Sequence, residues 1–117
     1  MILAHGNTAK DGTGRMLTVF EADESNDCYL SGLTLTSRGT NIGTKVCLFL
    51  NNGYDQNDPT NNQYYLGVTL PPTILSARRT PRPIYVPCAL RLLPGWKVNA
   101  ALTVAVAAGY DVVVLNA

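Results

Sequence analysis

Residues 83–117 read PIYVPCALRLLPGWKVNAALTVAVAAGYDVVVLNA, and this stretch decides the fold. Three apolar, strand-like runs lie almost back to back, punctuated by Leu93-Pro94-Gly95-Trp96 and Ala107-Ala108-Gly109-Tyr110. From Lys97 to Ala107 the larger apolar side chains Val98, Leu102, Val104 and Val106 share one parity. The other parity carries Asn99, Thr103 and small alanines. Side chains alternate between the two faces of a strand, so this pattern predicts a strand with one face buried. The stretch therefore predicts strands over Ile84–Leu92, Trp96–Ala107 and Tyr110–Leu115, the last two forming an antiparallel hairpin around Ala107–Tyr110.

Working outward, the same reading gives strands at Arg15–Glu21, Cys28–Ser37, Thr44–Asn51 and Gln63–Leu70. Within Cys28–Ser37 the apolar parity switches around Gly32, from Leu30 to Leu33 and Leu35, which predicts a bulge there. Along Gln63–Leu70, Tyr64, Leu66, Val68 and Leu70 share one side. Asn52–Asn62 is dense in Asn, Asp, Gly and Pro and reads as a loop. Residues 71–83 hold four prolines and three arginines, which excludes a central strand and leaves at most a helical turn at Thr73–Arg79. Residues 1–14 show no period and read as an extended N-terminal arm. The expected fold is all-β: a single-domain antiparallel β-sandwich, jelly-roll-like, of seven or eight short strands over residues 15–117.

A chain of 117 residues is one domain that buries roughly two-thirds of its unfolded surface, without needing a disulfide or a metal. Nine basic residues against eight acidic ones leave no global field to draw in nucleic acid or an anionic membrane. The charges are nevertheless polarised, with seven of the eight acids before residue 60. Cys28, Cys47 and Cys88 form no C-x-x-C pair and sit in apolar runs, so they read as free thiols acting as small hydrophobes in a reducing compartment. The start lacks signal-peptide character, and no apolar run reaches the ~20 residues that span a bilayer.

Catalytic constellations are hard to assemble. The one histidine, His5, has no activated nucleophile in view, and Cys and His do not occur at zinc-ligand spacings. The segment Gly6–Thr13 lacks the lysine and the strand–helix context of a phosphate loop. Glu21, Asp23, Glu24 and Asp27, and then Asp55 and Asp58, depart from the alternating ligand pattern of a calcium loop and read as solvated turns. No catalytic, metal or cofactor residue is expected. The cluster Arg78, Arg79 and Arg82 is proline-stiffened, which suits protein docking better than nucleic-acid binding. The candidate partner-binding residues are His5, Lys10, Tyr54, Asp55, Asp58, Arg78, Arg79 and Arg82. A rival from another class is a carbohydrate-binding module using Tyr54, Tyr64, Tyr65 and Trp96.

Four segments in order carry a resemblance: Val46-Cys-Leu-Phe-Leu-Asn-Asn-Gly53, Tyr65-Leu-Gly-Val-Thr-Leu-Pro71, Leu93-Pro-Gly-Trp-Lys97 and Thr103-Val-Ala-Val-Ala-Ala-Gly-Tyr110. Together they resemble small virion structural proteins of tailed bacteriophages, over roughly residues 44–117. Pro94-Gly95 lacks the alanine usual between them, and Tyr110 stands where tryptophan is common. The resemblance implies a non-enzymatic capsid decoration (cement) protein of the virion, assembled in the host cytoplasm. Its expected partners are the major capsid protein and its own copies, as a homotrimer, with no direct nucleic-acid or membrane contact. A tail, neck or baseplate component is the alternative within the same class.

Overall fold

The structure, a computed structural model, describes residues 1–74 and 82–116. It is a sandwich of two four-stranded antiparallel sheets. The strands are β1 (Ile2–Leu3), β2 (Leu17–Glu21), β3 (Cys28–Ser37), β4 (Thr44–Asn51), β5 (Asn62–Leu70), β6 (Ile84–Leu92), β7 (Lys97–Leu102) and β8 (Tyr110–Asn116). One sheet runs β1-β8-β3-β6, the other β2-β7-β4-β5. The pairing is nested: β4 with β5, β3 with β6, β2 with β7, β1 with β8. This is a long hairpin wrapped around itself, the jelly-roll arrangement of a double sheet. Strands β3, β4 and β6 have the bounds the sequence predicts. The register of β3 shifts between Leu30 and Gly32 on both its neighbours, so the bulge is present.

Apolar residues of one parity meet between the sheets. Leu30, Leu33 and Leu35 of β3, Val46 and Leu48 of β4, Val98, Ala100 and Leu102 of β7, and Tyr110 and Val112 of β8 form one buried cluster. β5 and β6 lie as edges of their sheets. There Tyr65, the extra residue in a register shift opposite Leu48/Phe49, accepts a hydrogen bond from the Ala89 N–H at 3.3 Å. Pro87 removes another N–H from β6, so that edge offers little to a foreign strand.

Two expectations for the C-terminal stretch are corrected. β7 ends at Leu102 rather than Ala107, and both of its faces are covered: Asn99 and Ala101 are as buried as Val98 and Ala100. Alternation of large and small residues therefore reflects two covered faces of different depth, not one buried and one wet. β7 and β8 also form no hairpin, because nested pairing puts them in opposite sheets. Residues 103–109 instead cross between the sheets, and β4, the N-terminal segment and Asn41 accept from several of their N–H groups. Thr103 N donates to Lys45 O at 2.9 Å and Val106 N to Ala4 O at 3.0 Å. Ala108 N and Gly109 N both donate to the buried Asn41 Oδ1 at 2.9 Å, while Asn41 Nδ2 donates to Ser37 Oγ and Gly109 O. A fully bonded buried amide of this kind stabilises the crossing, since leaving its partners unpaired costs about 1–3 kcal/mol each.

Residues 1–14 are not a free arm over their first half. β1 adds to β8, Leu3 is buried, and the chain then passes to the other sheet, where Asn7 N donates to Leu102 O at 2.8 Å. Asn7 Nδ2 also donates to Thr13 O and Arg15 O, closing residues 8–14 into a loop. This crossing closes the side of the sandwich opposite the β5 and β6 edges.

Candidate functional site

The outer face of β1-β8-β3-β6 carries exposed apolar side chains that no other described segment covers. Outward side chains there include Ile2, Tyr29, Tyr85 and Val113, exposed by 52%, 53%, 56% and 54%. Val113, Thr34 and Tyr85 stand directly opposite one another across β8, β3 and β6, and Leu115, Gly32 and Pro87 form the next row. Tyr85 leans across Gly32: a Cβ there would meet its Cε1 at 2.7 Å and the Val86 carbonyl oxygen at 2.8 Å. Its hydroxyl donates to Ser31 O at 3.3 Å, and Ser31 Oγ donates to Leu115 O at 2.8 Å. The ring edge and hydroxyl thus use the space that the missing Gly32 side chain leaves.

Two ion pairs lie at the margins of this face. Arg38 pairs with Asp111 at 2.7 Å at one end, and Arg91 pairs with Asp27 at the other. The Asp27 carboxylate raises the pKa of the Arg91 guanidinium, mainly by hydrogen bonding. Apolar side chains with polar groups at their margin have the anatomy of an interface.

The opposite outer face, of β2-β7-β4-β5, is partly covered by the chain itself. Phe49 is buried there although it lies outside the inter-sheet cluster, and meets Tyr64 edge to face, with ring centroids 5.5 Å apart. Between these residues and the passing segment Asn7–Lys10 lies a groove of ≈ 430 Å³, floored by Cys47, Phe49 and Ala101. Lys10 and Lys45 stand at its margin, and neither has an acidic partner among the described residues. Gly67 has no Cβ to occupy the space that the Lys45 side chain and the Tyr64 hydroxyl use.

The Asn52–Asn61 loop projects from one end of the sandwich and is built from its own polar side chains. Asn51 Oδ1 accepts from Gly53 N, Asn52 Oδ1 from Tyr54 N, and Asp55 Oδ1 from Asn57 N. Asp58 caps a 3₁₀ turn at Pro59–Asn61, accepting from Thr60 N at 3.1 Å and Thr60 Oγ1 at 2.7 Å. Those two bonds hold its carboxyl below the ordinary value. Gly53, at φ +90, packs so closely on the Leu93–Trp96 turn that a Cβ would meet Gly95 O at 2.7 Å. A rigid frame results, with Tyr54 at its tip 74% exposed.

The candidate residues from the sequence do not converge on one place. Tyr54, Asp55 and Asp58 share the projecting loop, and Lys10 borders the groove. His5 lines a separate cleft of ≈ 240 Å³ with Arg15 and Met16, whose lining holds no carboxylate, thiol or hydroxyl side chain. Arg82 lies exposed before β6, at the end opposite the Tyr54 loop. Arg78 and Arg79 lie outside the described residues. Of the aromatics weighed for glycan binding, Tyr65 and Trp96 pack against the core. Among the described residues no group of three or more His, Cys, Asp or Glu is placed to hold a metal ion, and no helix is long and apolar enough to cross a membrane. The sequence reading missed the bare face itself. Its signal was the apolar character of the outward parity, Tyr85, Pro87 and Ala89 in β6 and Val113 and Leu115 in β8.

Compared with protein families, curated proteins and solved structures, the chain matches none.

Proposed function

We propose that this chain is a non-enzymatic structural protein of a tailed-phage virion, a decoration protein that settles on the capsid through the outer face of β1-β8-β3-β6. The observation that carries the reading is that Ile2, Tyr29, Tyr85 and Val113 stand half exposed on one sheet face, with ion pairs at its two ends. Contiguous apolar surface with a polar rim marks a site of association. Neither described pocket is lined by Tyr29, Tyr85 or Val113, and a small ligand requires concavity, so these side chains suit a broad partner such as a shell of packed subunits better. Rigid aromatic side chains lose little entropy when covered, so Tyr29 and Tyr85 are the natural anchors. Jelly rolls occur in capsid and lectin domains alike, so the fold supplies an analogy only. The phage context rests on the four sequence segments between Val46 and Tyr110.

Immunogold electron microscopy of intact virions, with antibody against this chain, tests the reading. Label distributed over the heads is expected. Label confined to tail or neck replaces decoration with a tail component, and particles without label overturn the virion reading.

A further inference from the structure

We infer that copies of this chain join head to tail, the Tyr54 loop of one copy seating in the groove over Cys47 and Phe49 of the next. The two surfaces are complementary in charge and in apolar character. The loop presents one exposed aromatic ring with Asp55 beside it and Asp58 close by. The groove presents an apolar floor with Lys10 and Lys45 at its margin, both lacking an acidic partner among the described residues. Its ≈ 430 Å³ falls within the range of sites that enclose a small group, and an aromatic side chain with its flanking carboxylates is of that scale.

The loop is also prepared for this role. Asp55 and Asp58 each hold a loop N–H through Oδ1 and leave Oδ2 to accept from a lysine ammonium. The bonds from Asn61 Nδ2 to Asp55 O and from Asn62 Nδ2 to Gln56 O fix the backbone around the tip. Seating it therefore orders little that is not already ordered, and that entropy is the usual cost of a loop-mediated contact. Because the loop and the groove are different surfaces, the contact is heterologous, and repetition builds a ring where the rotation closes and a filament where it does not. The contact uses none of the residues of the β1-β8-β3-β6 face, so it stands or falls apart from the capsid reading.

Sedimentation velocity on the purified full chain tests it without any virion. Association is expected at low ionic strength and should weaken as salt rises, since the lysine–carboxylate attraction is screened. Tyr54→Ala and Lys45→Glu should each raise the concentration needed for association by roughly ten-fold or more, with unchanged far-UV circular dichroism. Mixing the two variants should restore one contact per pair, because the Lys45→Glu copy keeps an intact loop and the Tyr54→Ala copy an intact groove. A chain that stays monomeric at low salt, association that either variant leaves unchanged, or a mixture that forms no heterodimer would each overturn the inference.

Discussion

Both outer faces of the sandwich carry aromatic side chains but differ in what is covered: Phe49 is buried on one, with Tyr64 half exposed beside it, whereas Tyr29 and Tyr85 are both half exposed on the other. On β2-β7-β4-β5 the chain returns over its own sheet: Asn7 bonds to Leu102, and Phe49 is only 3% exposed although it lies outside the core between the sheets. On β1-β8-β3-β6 nothing described returns, and Tyr29, Tyr85 and Val113 stay half in water. Apolar surface that a chain covers itself contributes to its own stability. Apolar surface that it leaves bare contributes little until something else covers it.

The sharpest way to break this contrast is a pair of truncations. Phe49→Ala should lower unfolding free energy by about 3 kcal/mol or more, through lost burial and the cavity left beside Tyr64. Tyr85→Ala should cost about 1 kcal/mol or less, while abolishing binding to particles. Urea unfolding of both variants decides it, and equal losses would erase the distinction. A second pair concerns glycines under the two faces. At Gly32 a Cβ meets the Val86 carbonyl as well as Tyr85, and backbone cannot yield, so Gly32→Ala should destabilise by about 1–3 kcal/mol. At Gly67 the obstacles are the flexible Lys45 chain and the tip of Tyr64, so Gly67→Ala should cost clearly less by the same measurement.

Thiol reactivity gives a smaller, graded readout. Cys28 and Cys47 are partly exposed, whereas Cys88 is buried between the sheets and burial raises its pKa. A thiol-specific reagent should modify Cys47 and Cys28 in the native protein and reach Cys88 only on unfolding, as peptide mapping would record. The smallest effect belongs to the Tyr54 loop. Asp58 is held below its ordinary carboxyl value of 3.8 by Thr60, so the charged form stabilises the folded loop above that range. This contribution disappears as pH falls through the lowered value. Protection of the Asn57–Asn61 amides, measured relative to their intrinsic exchange rates, should therefore fall at acid pH before that of the strands, and Asp58→Asn should remove most of that pH dependence.

Much of the scaffold was legible because its signals are local. The bounds of Cys28–Ser37, Thr44–Asn51 and Ile84–Leu92, and the bulge at Gly32, follow from alternation and its interruption. What failed was non-local. Ala101 looks like part of a wet face until residues 7–10 are known to pass beside it, and Asn99 until Thr18 is known to bond it, and no periodicity in residues 97–107 encodes that cover. The hairpin at Ala107–Tyr110 failed for the same reason, since the partners of its N–H groups, Asn41 and Ala4, are remote in sequence. The site was read mainly from charged loops, which a sequence displays openly. The bare face comes from three strands that are not consecutive, so its apolar rows exist only once β8, β3 and β6 lie side by side.

The most direct test of the central claim is hydroxyl-radical footprinting of this chain, free in solution and on assembled virions, read at single tyrosines. Tyr29 and Tyr85 should be modified readily in the free protein and strongly protected on the particle, with buried Tyr110 unmodified in both. Unchanged modification of Tyr29 and Tyr85 on the particle would contradict the assignment of this face as the one that docks.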